Sequence, residues 1–223
     1  MRSLEDLANE EVFMAQLESW RARWEGAAKT ARTIELVRVA TGVLLKDGLQ
    51  KFSMRRVADA AGMTLTSLQY HFPKLADLTN AMVDYRIDNY VDAAKEYLRG
   101  LAVDPIEAFR THISYFVDDA MTHETAVFTL QFQAMACHDP YAASALDAYM
   151  TLYRDSLGLF IRRINPTVPP DEAVRRGAAI AAMIDGMMVI LSEGKVRHPE
   201  LEGMKATLVD AAFLIAWAPS RGT

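Results

Sequence analysis

A single cysteine, Cys137, stands in 223 residues, so no intrachain disulfide forms and the fold must hold by burial alone. Long apolar runs are missing too. The longest small and apolar stretch, Gly177 to Ile184, is stopped by Asp185, far short of the roughly 20 residues that span a bilayer. Met1 to Gln16 is acidic where a secretory leader is basic and then apolar, which with the scarcity of cysteine leads to the expectation of a cytoplasmic protein with no membrane partner. There is no Gly-rich phosphate loop, no carboxylate pair placed for acid–base work, and no β-branched run bounded by turn residues of the kind that builds a sheet. Cys137-His138-Asp139 names a nucleophile, a base and an orienting acid, but consecutive residues cannot point at one another. His112, His123 and His138, with Asp119, are of metal-ligand type, yet no pair has the i, i+4 spacing that puts two ligands on one helix face. The reading is therefore no enzyme, no metal and no cofactor.

What is present is apolar and helical. Half of the residues are hydrophobic, enough at this length for one sizeable core and a second smaller one. Periodicity is helical nearly throughout, and the expected fold class is all-α. Residues 1–25 form a candidate extra helix carrying Val12, Leu17, Trp20 and Trp24. A first core helix from Thr30 to Asp47 puts Leu36, Val39, Ala40, Val43 and Leu44 on one face and stops at Gly48. Further on, Asp104-Pro105, Asp139-Pro140, Asn165-Pro166, Pro169-Pro170-Asp171 and His198-Pro199 punctuate the chain as helix starts, because Pro suits the first turn and Asp ahead of it caps free amides. This predicts helices near 76–99, 105–122, 124–137, 140–164, 171–193 and 200–217. The expected domains are an extension over 1–25, a small module over 26–80 and a larger helical body over 81–223.

Charge is unevenly spread. The chain has a net charge of -5, yet Gly26 to Asn80 holds eight basic residues against four acidic ones, a local +4 that leaves -9 elsewhere. A cationic module on an acidic body suits a polyanion at one end.

Within that module, Ser53 to Phe72 reads as two short helices around a tight turn. Ser53 and Thr64 are placed to cap them, Gly62 supplies the positive φ of the turn, and Ala58 lets the helices cross closely. Met54, Val57, Met63, Leu68 and Phe72 have the spacing to pin the pair to a small core. Thr66, Ser67, Gln69 and Tyr70 leave the second helix with a polar face of the size that enters a major groove. A helical hairpin in an unrelated bundle is the alternative.

The stretch resembles the tetracycline-repressor (TetR/AcrR) family, whose signature reads I-A-x-x-A-G-V-S-x-x-x-L-Y-x-H-F. Val57-Ala58, Ala61-Gly62-Met63-Thr64, Leu68 and His71-Phe72 match it in register. The chain departs at two phosphate-contacting positions. The family's Tyr is Gln69, with Tyr70 beside it, and its Lys after the Phe is Leu75, with Lys74 one place earlier. The resemblance implies a DNA-binding surface of Lys29, Ser53, Arg55, Arg56, Thr64, Leu65, Thr66, Ser67, Gln69, Tyr70, His71 and Lys74. Arg55 falls where relatives carry a base-reading Arg, whereas Arg56 and Lys29 suit phosphates.

It further implies a repressor that leaves a palindromic, double-stranded operator when a hydrophobic small molecule binds. The alternative is a protein of the same fold controlled by a protein partner or by no ligand. The effector pocket is expected among Phe109, His112, Tyr115, Phe116, Phe128, Phe132, Met135, Tyr149 and Tyr153, residues that plain core packing also explains. The last two helices are apolar on more than one face, and the resemblance makes them the homodimer interface. One stripe is Ile180, Ile184, Met187 and Leu191, continued by Leu208, Ala212 and Ile215; Ala178, Ala181, Ala182 and Met188 form another.

Overall fold

A computed structural model describes residues 11, 14, 15, 18, 19, 30–100 and 104–220, with side chains omitted at 91–100 and 141. The candidate helix over 1–25, with its Val12, Leu17, Trp20 and Trp24, and the candidate phosphate contact Lys29 lie outside the described residues. From residue 30 onward the described chain forms nine α-helices and no strand: α1 Ala31–Asp47, α2 Met54–Ala60, α3 Leu65–His71, α4 Leu75–Gly100, α5 Pro105–Met121, α6 His123–Ala136, α7 Pro140–Ile164, α8 Pro170–Ile190 and α9 Met204–Trp217. Short 3-10 turns at Leu49–Lys51 and Pro199–Leu201 complete the order. The fold is all-α, and no described helix is long and apolar enough to cross a membrane.

Local chemistry accounts for the boundaries. Thr30 and Thr33 cap α1 reciprocally, each side chain bonding the other's amide. Asp104 Oδ1 accepts from the amides of Ile106 and Glu107 at the head of α5, and Asp139 Oδ1 accepts from Ala142 N at the head of α7. The prolines at 105, 140 and 170 each occupy the first helical position, where a missing N–H costs nothing.

The chain divides into two compact units. A head unit comprises the described residues of Leu17–Val91 and Val127–Tyr149. Its core is built by Leu36, Val37, Ala40 and Leu44 of α1, Val57 and Ala58 of α2, Leu68 of α3, and Leu78, Met82 and Ile87 of α4. The buried face of α1 uses Val37 rather than the predicted Val39, which is half-buried. The unit reaches past the module read over 26–80 because part of α6 joins it: Gln131 Oε1 accepts a hydrogen bond from the backbone amide of Leu49 at 3.1 Å.

A body unit comprises the described residues of Met1–Gln16, Asp92–Ala126 and Met150–Thr223. Phe109, Ile113 and Val117 of α5 meet Leu157, Phe160 and Ile161 of α7, Ile180, Ile184 and Met187 of α8, and Leu208, Ala212 and Ala216 of α9. The helices α7 and α8 cross at glycines: a Cβ on Gly177 would stand 2.7 Å from the carbonyl oxygen of Arg154 and 3.2 Å from Gly158 N. Arg176 closes the end of α9, donating to the carbonyls of Ile215, Ala216, Ala218 and Pro219 while pairing with Glu172 at 2.6 Å. Asn165 Nδ2 donates to the carbonyls of Ala216, Trp217 and Ala218, so the open end of that helix is met by side chains.

Candidate DNA-binding site

The turn between α2 and α3 is built on backbone hydrogen bonds. Met63 N donates to Ala58 O at 3.0 Å and Gly62 N to Asp59 O at 3.2 Å, with Gly62 at φ +65°; this is the pair of bonds that closes a helix through a left-handed residue. Only glycine takes that φ without strain, which is why the sequence has Gly there. The next helix starts at once, as Thr64 Oγ1 accepts from Ser67 N at 3.1 Å. Ser53 does the same for α2, accepting from Arg56 N at 3.3 Å. Val57 and Leu68 are fully buried and Phe72 nearly so, locking the pair onto α1, while Met54 and Met63 are half-buried at its margin.

The outer side of α3 is solvent-facing. Thr66, Ser67, Gln69 and Tyr70 are all exposed, Tyr70 at 86%, an unusual display for an aromatic residue. His71 stands edge-on to the Tyr70 ring, with centroids 5.4 Å apart, and Leu65 is half-buried at the start of the helix. Helix α3 thus presents hydroxyl, amide and phenol groups side by side, a set that bonds to base edges and phosphate oxygens.

The cations around it divide into two sets. Arg56 is occupied: its Nε and Nη2 lie 2.9 and 2.7 Å from Asp47 Oδ2, bracing α2 against the end of α1. Arg32 pairs with Glu35 at 2.7 Å. Arg55, Lys46, Lys51 and Lys74 are exposed and make no ion pair among the described residues. Lys74's backbone amide donates to Asp77 Oδ2, which fixes the start of α4 and leaves its side chain outward. The phosphate role read for Arg56 is therefore overlaid by a structural one, because a carboxylate already holds its guanidinium.

No family model matches the sequence. The HTH-type transcriptional repressor KstR2 of Rhodococcus jostii is 30% identical over 116 residues, 52% of this chain and 50% of that protein, so the chain spans about half the length of the curated relative it matches. Among solved structures, a TetR transcription regulator from Haloarcula marismortui superposes with a TM-score of 0.65 at 18% identity, covering 82% of this chain and 95% of that one. A transcriptional regulator from a Rhodococcus species gives 0.60 at 22% identity, covering 85% and 100%. The chain has the TetR-type fold.

Within the TetR-type fold, the residues read as an effector pocket are distributed over both units. Phe109, His112, Phe116 and Tyr153 belong to the body unit, where with Phe160 they pack into its core, His112 against Phe116 and Phe160, and Phe116 against Tyr153. His112 stacks on Phe160 and is fully buried, and burial lowers its pKa to about 3. Tyr115 lines an open groove beside the ion pairs Arg110–Asp210 and Lys205–Asp118. Phe128, Phe132 and Tyr149 belong to the head unit and line a slot there with Val83, Arg86 and Ile87; Met135 is half-buried on the same helix as the two phenylalanines.

The interface stripe needs a correction. Ile180, Ile184, Met187, Leu191, Leu208 and Ala212 are buried inside a single chain, so they hold the body unit together and are not available to a second copy, while Ile215 packs on the same core and keeps part of its surface exposed. Of the second stripe, Ala181 and Met188 are buried as well, and Ala178 and Ala182 are exposed. The large apolar side chains left exposed on α8 and α9 are Val189, Ile190, Leu214 and Trp217.

Proposed function

We propose that this protein is a DNA-binding transcriptional regulator, a repressor that holds a palindromic operator as a homodimer and is released by a hydrophobic small molecule. The observation that carries the reading is the α2–α3 pair: a glycine-closed turn that aims an exposed row of Thr66, Ser67, Gln69 and Tyr70 outward, with Arg55 beside it. Seated in a major groove, α3 supplies base contacts, Arg55 offers a guanidinium fork to guanine, and Lys74 neutralises phosphate. A second copy supplies the other half-site, joined through the outer faces of α8 and α9 that carry Val189, Ile190, Leu214 and Trp217. Half-sites one helical turn apart lie about 34 Å from centre to centre, so a ligand that alters the separation of two α3 helices releases the DNA.

Selection of genomic fragments by the purified protein is expected to enrich a palindrome whose affinity falls steeply with salt. On that palindrome Arg55→Ala should cost about 1–3 kcal/mol and relax discrimination at one base pair, while Lys74→Ala should weaken every sequence alike. Recovery of no enriched sequence would sink the reading.

A further inference from the structure

We propose that the groove at the end of α5 and α8 and the start of α9, within the body unit, binds a zwitterion with a large apolar side chain, of which an apolar amino acid is the simplest form. The groove has a volume of about 500 Å³, inside the range of about 300–1,000 Å³ in which small-molecule clefts fall. Its floor is apolar. Met121 closes α5, Leu191 caps the end of α8, and Leu201 and Met204 lie just before and at the start of α9. Leu191 is buried, and the other three are partly buried against the core of the body unit. The groove stands open, so a side chain laid on this floor leaves water without any helix moving. An aromatic ring suits it best, since the sulfurs of Met121 and Met204 make favourable contacts with ring edges.

The loop between α8 and α9 supplies the rest of the lining, and it is pinned at both ends. Glu193 N donates to Met121 O at 2.8 Å, and Glu193 Oε2 accepts from His123 N at 3.2 Å. Leu201 N donates to His198 O at 3.0 Å and Glu202 N to Pro199 O at 3.1 Å. A wall held this way loses little freedom when a ligand binds. Four side chains able to carry charge line the groove: Arg197, His198, Glu202 and Lys205. Two of them already face an opposite charge. Lys205 Nζ bonds both oxygens of Asp118, at 2.7 and 2.6 Å, and His198 Nδ1 lies 3.7 Å from Glu200 Oε1. Arg197 and Glu202 are exposed and make no ion pair among the described residues. An anion alone would meet the repulsion of Glu202, and a cation alone that of Arg197. A molecule that carries both charges gives each of them a partner: its carboxylate takes the parallel donors of the guanidinium, and its ammonium donates to the Glu202 carboxylate. Every residue of this groove belongs to one compact unit.

The test uses the full chain and three probes with the same ring and linker: L-phenylalanine, 3-phenylpropionate, which has no ammonium, and 2-phenylethylamine, which has no carboxylate. Calorimetry at neutral pH is expected to show phenylalanine binding at least tenfold more tightly than either of the others. Arg197→Met should bring phenylalanine down to the level of phenylethylamine and change phenylethylamine less than twofold. Glu202→Gln should bring it down to the level of phenylpropionate and leave phenylpropionate as it was or tighter. Both positions are exposed, so neither substitution disturbs the core. In the native chain with labelled methionine methyls, phenylalanine should shift the Met121 and Met204 signals. Equal binding of the three probes, or binding of none up to their solubility, overturns the ligand class, as does a phenylalanine affinity that neither substitution moves. Binding that leaves both methyl signals in place overturns the location. None of these measurements involves DNA, so the proposal and the regulator reading fail separately.

Discussion

His112 lies flat against Phe160, with centroids 4.2 Å apart and planes 12° apart, and Phe116 stands edge-on at 4.7 Å. Burial in this aromatic setting holds its pKa down to about 3, so the folded chain keeps it neutral. The unfolded chain protonates an ordinary imidazole near 6.5. Below about 6.5 the unfolded state therefore binds the extra proton, and stability falls with pH by up to roughly 1.4 kcal/mol per unit. Asp185 acts in the opposite sense. Its carboxyl is pushed up to about 6 by burial, so from about 6 down to its ordinary value near 3.8 the folded state holds the extra proton and stability rises as pH falls. The two opposed slopes are separated by comparing the native chain with His112→Phe. The gap between their melting temperatures should be constant above pH 7 and should move in favour of the variant as pH falls from 6.5 to 4. Parallel profiles would show that His112 titrates normally in the folded protein.

At the scale of elements, the crossing of α7 and α8 is set by what is missing at Gly158 and Gly177. An added Cβ at Gly177 meets a backbone carbonyl on the facing helix at 2.7 Å, and backbone cannot turn away as a side-chain tip does. Gly177→Ala should cost about 1–3 kcal/mol, read by denaturant unfolding. Gly42→Ala on α1, where nothing lies within 4 Å, should gain up to about 1 kcal/mol from helix propensity alone. Equal effects at the two sites would contradict the close crossing. Such elements were legible in the sequence wherever a local interaction decides them. The caps at Thr64, Asp104 and Asp139 and the turn at Gly62 each depend on neighbours within a few residues, and the structure has all four. Assigning faces was harder, because periodicity marks an apolar stripe without saying what covers it. Val37 and Val39 are chemically the same, and only the packing of α2 and α3 decides between them. The stripe Ile180, Ile184, Met187 and Leu191 was read as a surface for a partner and is the chain's own core. Sequence order does not show which of the aromatic residues between 105 and 164 meet, and Gln131's bond to Leu49, 82 positions away, has no local signature at all.

For the whole molecule, the apolar groups left outside on α8 and α9 set the assembly test. Leu214 is 68% exposed and Trp217 half so, its indole stacked on Phe213 with ring centroids at 5.7 Å. Leu214→Glu should leave the body unit folded, since the side chain touches little of the chain's own core, but should convert a micromolar dimer to monomer in sedimentation velocity and weaken operator binding. Ile184→Glu should instead unfold the body unit, because a charge there is buried without a partner. A Leu214→Glu protein that stays dimeric would place the interface elsewhere. The shortness of α2 and α3 has its own outcome. Each is seven residues long, about half the length at which an isolated helix persists in water. Neither helix exists without the other and the floor that α1 gives them. The exposed face of α3 should therefore form or vanish as a whole: the amides of α2 and α3 are expected to open to solvent together, which hydrogen exchange reads.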